Sequence, residues 1–215
     1  MKLISTFLYA IAAVAAMFMV THAAFAQNGA SEPPFRIPTQ YSIVFIQKLN
    51  GVTRKSGLPS RMYVDGTRFR TETITAGAAV TLIHRPDINK TYALKEATRE
   101  YKEVIYNKKY NPFMAEYPPG KWSTLKPAEL AGKMMRRYQL DTGEPGKAVV
   151  THVYWVDPAT KMFMRIEINM PGAKAEYECS DYKADRPSSE LFEVPKDYTP
   201  VDKKSNQDDP IIESV

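Results

Sequence analysis

"RMYVDGTRFRTETI", residues 61–74, sets the fold class of this 215-residue chain. Asp65-Gly66 between two alternating runs signals a β-hairpin closed by a two-residue type I′ turn, because both central residues must take positive φ. With those two residues as the loop, Val64 faces Thr67, Tyr63 faces Arg68, Met62 faces Phe69 and Arg61 faces Arg70. Side chains alternate along a strand, so Met62, Val64 and Phe69 share one face. Arg61, Tyr63, Arg68 and Arg70 share the other, with Glu72 positioned to relieve the Arg61–Arg70 repulsion.

Strand signals continue on both sides of the hairpin. Residues 41–49 are rich in β-branched and aromatic types, and 80–84 and 91–95 form a second hairpin around the turn residues of "RPDINK". Residues 99–104 extend the meander, and 133–140, 147–156, 162–169 and 174–182 supply four more strands. In 162–169, Met162, Met164, Ile166 and Ile168 alternate with Phe163, Arg165, Glu167 and Asn169, the apolar-in, polar-out pattern of an antiparallel sheet. Between the halves, Asn111 is placed to cap a short helix starting at Pro112, and 127–131 reads as a second helical turn stopped by Gly132. Crossover helices of ten or more residues are missing from the pattern, which argues against a parallel βαβ fold. What remains is a curved antiparallel sheet, a barrel or a sandwich.

Residues 1–26 read as a secretory signal peptide: Lys2, an apolar run over 7–20, and Ala24-Phe25-Ala26 as the cleavage site. A membrane anchor competes for the same run, but Ser5 and Thr6 interrupt a span that needs about 20 apolar residues. Cleavage leaves one domain starting near Gln27, of a length able to build its own core. Residues 27–38, with three prolines and no periodicity, are expected to be flexible, and 202–215 to be a disordered tail. The formal charge of +5 falls to +4 without the leader, too little for the basic stripe of a nucleic-acid binder. The single cysteine, Cys179, has no disulfide partner and shares a face with Ala175 and Tyr177, as an inert buried thiol does.

Catalytic signals are sparse. His84 and His152 sit on separate strands without a Cys, Asp or Glu at metal-ligand spacing. The chain carries no G-x-S-x-G, no H-E-x-x-H and no phosphate-cradling glycine loop. We expect no enzyme activity, no cofactor and no metal, with an uncharacterised hydrolase as the third reading because a catalytic triad needs no local motif. Two surfaces are candidate sites. Phe45, Met62, Val64, Phe69, Trp155, Met164 and Ile166 are candidate apolar lining, methionine being suited to adaptable hydrophobic surfaces. Arg61, Arg68 and Arg70 are the candidate docking face for an anionic headgroup or partner, unless they are merely the solvated side of the sheet.

"GLPSRMYVDGTRFRTE", "LIHRPDINKTYALKEATREYKEV", "VTHVYWVDPATKMFMRIEI" and the closing "LFEVPKDYTPV" resemble, in that order, the LolA-like superfamily of periplasmic, outer-membrane lipoprotein-sorting proteins, over about residues 40–201. The resemblance implies an unclosed, strongly curved antiparallel β-barrel with an apolar concave face covered by one or two short helices. It also implies a periplasmic location and a ligand or partner drawn from lipids, lipoprotein acyl chains or membrane-associated proteins. The substantial N-terminal helix of the lipoprotein carrier has no counterpart here, where a proline-containing segment stands instead. Lipoprotein-carrier activity is therefore not implied, and the expected role is ligand or partner binding by a monomer.

Overall fold

The computed structural model describes residues 33–53, 59–75, 77–108, 111–114, 117–143 and 148–201. The expected signal peptide and the expected tail lie outside these residues. The strands are β1 (Gln40–Leu49), β2 (Val52–Thr53), β3 (Ser60–Asp65), β4 (Arg68–Thr75), β5 (Ala78–Arg85), β6 (Lys90–Lys95) and β7 (Glu100–Ile105), then β8 (Lys121–Leu130), β9 (Lys133–Thr142), β10 (Val150–Val156), β11 (Phe163–Met170), β12 (Ala173–Lys183) and β13 (Thr199–Pro200). All join one curved sheet in the order β13-β7-β6-β5-β4-β3-β1-β12-β11-β10-β9-β8, with β2 attached to β1. The sheet is antiparallel except where β13 pairs with β7, and it does not close into a barrel.

This order follows from a simple path. The chain starts at the centre with β1, meanders outward through β3–β7 to one edge, and then jumps to the opposite edge at β8. It returns inward through β9–β12 until β12 pairs with β1, as Phe45 against Cys179 shows. Ten strand spacings separate β7 from β8 in this order, about 48 Å across a flat sheet at 4.8 Å per step. The connection over residues 106–120 reaches only slightly further when fully extended, about 55 Å. A curled sheet brings the edges within easy reach, and the connection must then run across one face. That inner face is where the main core forms.

Two expectations for the middle of the chain are corrected. Residues 111–114 form a single turn in which Asn111 Oδ1 accepts from the Phe113 backbone N–H at 3.0 Å, without a helix growing from it. Residues 127–131 are not helical at all: 121–130 is an edge strand, and Ala131-Gly132, both with positive φ, turn a tight hairpin into β9. Pro127 is tolerated because it sits in the register shift between Leu125 and Ala128 on that edge, where no ladder donor is needed.

The 61–74 hairpin is also shifted. Asp65 pairs with Arg68, Val64 with Phe69, Tyr63 with Arg70, Met62 with Thr71 and Arg61 with Glu72, so the loop is Gly66-Thr67. Only Gly66 has positive φ, +65°, the pattern of a type II′ turn with glycine first. Asp65 is withdrawn from the loop because its carboxylate is held by Gln40 and Arg68. The expected Arg61–Arg70 opposition does not occur, since Glu72 stands across from Arg61.

Three apolar clusters hold the sheet. The largest, on the inner face, joins Tyr41, Ile43 and Phe45 of β1 to Met62, Val64, Phe69, Leu140, Tyr154, Phe163, Ile166 and Ile168. The second lies on the outer face of the N-terminal half, where Phe192 and Tyr198 of the C-terminal segment pack on Ile83 and Leu94. The third, Met135, Val153 and Trp155, is on the outer face of the C-terminal half.

Candidate functional site

The inner face is roofed by two segments that are neither strand nor helix. From residues 33–38, expected to be flexible, Phe35 and Ile37 are 8% and 6% exposed and form part of the core. The alternation Phe35-Arg36-Ile37 lets both apolar side chains point down while Arg36 stays in water. Phe35 stacks on Tyr138 at 5.2 Å and meets Trp122, Tyr154 and Tyr117 edge-on or tilted at 5.6–5.8 Å. From the crossing connection, Phe113 lies over the centre of the sheet, 4.6 Å from Phe45 and 5.5 Å from both Phe163 and Tyr177. The fully buried Tyr41 hydroxyl donates to the Phe113 carbonyl and ties this cover to β1. Burial lifts the Tyr41 hydroxyl well above its ordinary pKa, so it remains a donor at any physiological pH.

Of the residues expected to line this face, Phe45, Met62, Val64, Phe69 and Ile166 do come together in the inner cluster. Trp155 and Met164 do not: both lie on the outer face. For Met164 the cause is a β-bulge. Trp155 pairs with Arg165 but Val156 with Phe163, so one extra residue turns Met164 outward and Phe163 inward. Trp155 alternates with Tyr154 and Val156, which take the inner positions.

Arg61, Arg68 and Arg70 occupy three different settings. Arg70 is largely covered, with Nε donating to Glu72 at 2.9 Å and a second nitrogen donating to the Leu191 carbonyl at 3.2 Å. Arg68 bonds Asp65 and lies 5.2 Å over the Phe192 ring. Arg61 is the most open of the three and meets Asp181 at 3.5 Å. Below Arg61, a groove of about 360 Å³ opens on the outer face, lined by Pro59, Glu72, Ile74, Ala79, Thr81 and Glu96 among others.

The titratable groups are set by burial. His84 stacks on Phe69 at 4.2 Å, with Nδ1 3.1 Å from the Thr91 hydroxyl. His152 is 3% exposed, and burial lowers its pKa to about 4 against the opposing pull of Asp141, so the ring is neutral at pH 7. Burial pushes the Cys179 thiol far up, which removes it as a nucleophile. Among the described residues no group of three or more His, Cys, Asp or Glu side chains is placed to hold a metal ion.

Sequence reasoning missed Phe35, Phe113 and Tyr117. The signal was an aromatic next to proline in an otherwise polar stretch: Pro34-Phe35, Pro112-Phe113 and Tyr117-Pro118. Proline stiffens such a segment without making it regular, and a lone aromatic on it is a plug for a concave surface.

No protein-family model matches the sequence, and no curated protein matches it. Among solved structures the chain is similar to an uncharacterized conserved protein from Thermus thermophilus, at 13% identity and TM-score 0.50, over 76% of this chain and 90% of that one. It is also similar to a chain of the Pseudomonas aeruginosa MucA/MucB complex, at 11% identity and TM-score 0.47, over 74% of this chain and 56% of that one. A third likeness is to an outer membrane lipoprotein-sorting protein domain from Vibrio parahaemolyticus, at 11% identity and TM-score 0.29, over 71% of this chain and 89% of that one. The curved antiparallel sheet of this chain is not closed into a barrel, as its sequence leads one to expect, and its likeness to the Thermus protein is one of fold alone.

Proposed function

We propose that this is a non-enzymatic periplasmic binding protein that takes an acyl chain or similar apolar ligand on its inner face, once the Phe35 and Phe113 covers are displaced. The observation that carries this reading is the nature of the roof. The largest apolar surface of the sheet is closed by two irregular segments, each inserting aromatic rings, and not by another layer of regular structure. Such segments leave more readily than packed strands, because few ladder hydrogen bonds hold them. An acyl chain replacing the rings would gain about 0.8 kcal/mol per buried methylene, enough to offset the lost aromatic contacts.

Native mass spectrometry of the protein isolated from its own cell envelope, followed by solvent extraction, tests the reading. One acyl ligand per chain supports it. Palmitate uptake in vitro should rise in Tyr41→Phe, which loses the bond to the Phe113 carbonyl. A ligand-free protein that also fails to take up palmitate as wild type, Tyr41→Phe and Phe113→Ala would overturn it.

A second reading is favoured by the same rings. The inner face is filled by the chain's own side chains, as suits an interaction module that binds a membrane-associated partner and no ligand. In that reading Arg61, the most open of the three candidate arginines, is the residue with most to contribute. Changing Arg61, Arg68 and Arg70 together should then abolish capture of the partner.

A further inference from the structure

The β8–β9 hairpin stands apart electrostatically. Over β8 and β9, residues 121–142, Lys121, Lys126, Lys133, Arg136 and Arg137 stand against Glu129 and Asp141, which leaves three of the chain's five net positive charges in this one hairpin. Several sheet cations elsewhere are matched: Lys48 with Glu178 at 2.7 Å, Arg85 with Glu193 at 2.6 Å, Arg165 with Glu178 at 2.8 Å and Lys174 with Glu167 at 2.9 Å. Among the described residues none of the five hairpin cations makes an ion pair. Arg137 instead stacks 4.3 Å over the Trp155 ring.

The hairpin also projects. Pairing of β9 with β10 stops at Arg136 opposite Val156, whereas pairing of β8 with β9 continues to Leu130 opposite Lys133. Its tip therefore overhangs the rest of the sheet, and Lys126, Lys133 and Arg136 are all exposed there. Met134, 60% exposed, is the large apolar side chain at the end.

We propose that this overhanging tip docks the protein on an anionic bilayer surface, with the cations among lipid phosphates and Met134 at the acyl boundary. Charge complementarity selects an anionic occupant, and the distribution of the cations selects a bilayer. Odd and even positions along a strand face opposite ways, so Lys133 and Arg136 point to different sides of the hairpin. An acidic peptide laid along one side meets half of them, whereas a headgroup layer around an inserted tip meets all. None of the tip residues belongs to the inner cluster, so this docking stands whether or not that cluster gives way to a ligand.

The test is co-sedimentation of the purified full chain with vesicles of phosphatidylcholine alone and with 30% phosphatidylglycerol, at low salt and at 0.5 M salt. Neutral vesicles account for any contribution of the apolar leader. We expect binding that requires the anionic lipid and is lost at high salt. Lys126→Gln, Lys133→Gln and Arg136→Gln together should weaken it at least tenfold. A control with the same charge loss elsewhere, Lys102→Gln, Lys161→Gln and Lys196→Gln, should change it less than twofold. Because Cys179 is buried, Met134→Cys offers one accessible thiol for an environment-sensitive dye, whose emission should shift to the blue on anionic vesicles. Equal weakening by the two triple variants, binding to soluble polyglutamate but not to anionic vesicles, or no dye shift would each overturn the proposal.

Discussion

The two halves of the outer face are built from similar residues and end up different. On β4 and β5 the cations are covered: the C-terminal segment from β12 to β13 crosses that face, buries Phe192 and Tyr198, and leaves its carbonyls and Glu193 bonded to Arg70 and Arg85. On β8–β10 nothing among the described residues crosses the face, and Arg137 has an indole in place of a carboxylate. An arginine on a sheet is thus neither a site nor a wet surface by type. The segment that passes over it decides, and that segment lies more than a hundred residues away in sequence from Arg70 and Arg85.

The comparison can be broken most forcefully at Phe192, which is fully buried between the sheet and the C-terminal segment. Phe192→Ala should cost about 3–5 kcal/mol in denaturant unfolding and expose Arg68 and Arg70 to solvent. If stability hardly changes, the covered half is not held by its cover. Next in size is a pH effect rooted in the other half. His152 has its pKa lowered from 6.5 to about 4, so the unfolded chain binds more protons between those values and stability rises with pH there. The expected loss is about 3 kcal/mol on acidification from pH 7 to pH 4, and His152→Gln should flatten the profile over that window.

Asp65 separates the halves by pH. Burial pushes its carboxyl up, but bonds from Gln40 and Arg68 and the charge of Arg186 outweigh burial and hold it below the ordinary value. Its contribution is complete above the unfolded-state pKa near 4 and disappears as pH falls through the lower folded value. Asp65→Asn should cost about 2 kcal/mol at pH 7 and less at pH 3. The smallest effect belongs to the open hairpin. Lys133→Gln should move the melting midpoint by under about 2 °C, because the side chain touches no anion among the described residues. A larger drop would mean that the hairpin cations stabilise the fold and are not held in reserve for a partner.

Much of the architecture was legible because β-strands repeat every two residues. The hairpin at 61–74 is shifted from its expected register, yet Met62, Val64 and Phe69 still share a face. Opposed pairs moved by two positions, from Val64–Thr67 to Val64–Phe69, and a shift of two preserves the side on which every residue lies. A bulge adds one residue and does the reverse, which is why the unbroken alternation of Met162, Met164, Ile166 and Ile168 misplaced Met164. The helical reading of 127–131 failed because proline and glycine mark the end of a helix and the bulge and turn of an edge hairpin equally well. The roof residues were hidden for another reason. Phe35 and Phe113 have no periodicity of their own, and their burial follows only from the path that the connections take across the curled sheet.

The central seam between β1 and β12 has a kinetic consequence. Phe45 meets Cys179 and Gln47 meets Tyr177, so the pairing that joins the two halves is also among the most distant in sequence. Each half can zip locally, hairpin by hairpin, but the seam must wait until almost the whole domain is present and its largest loop has been closed. Folding should accordingly show a slow final phase that Phe45→Ala or Cys179→Ala alters more than Ile83→Ala does. Until that phase is over, the open edges of β1 and β12 are exposed together with the apolar inner face, making the half-assembled sheet the form most prone to aggregate.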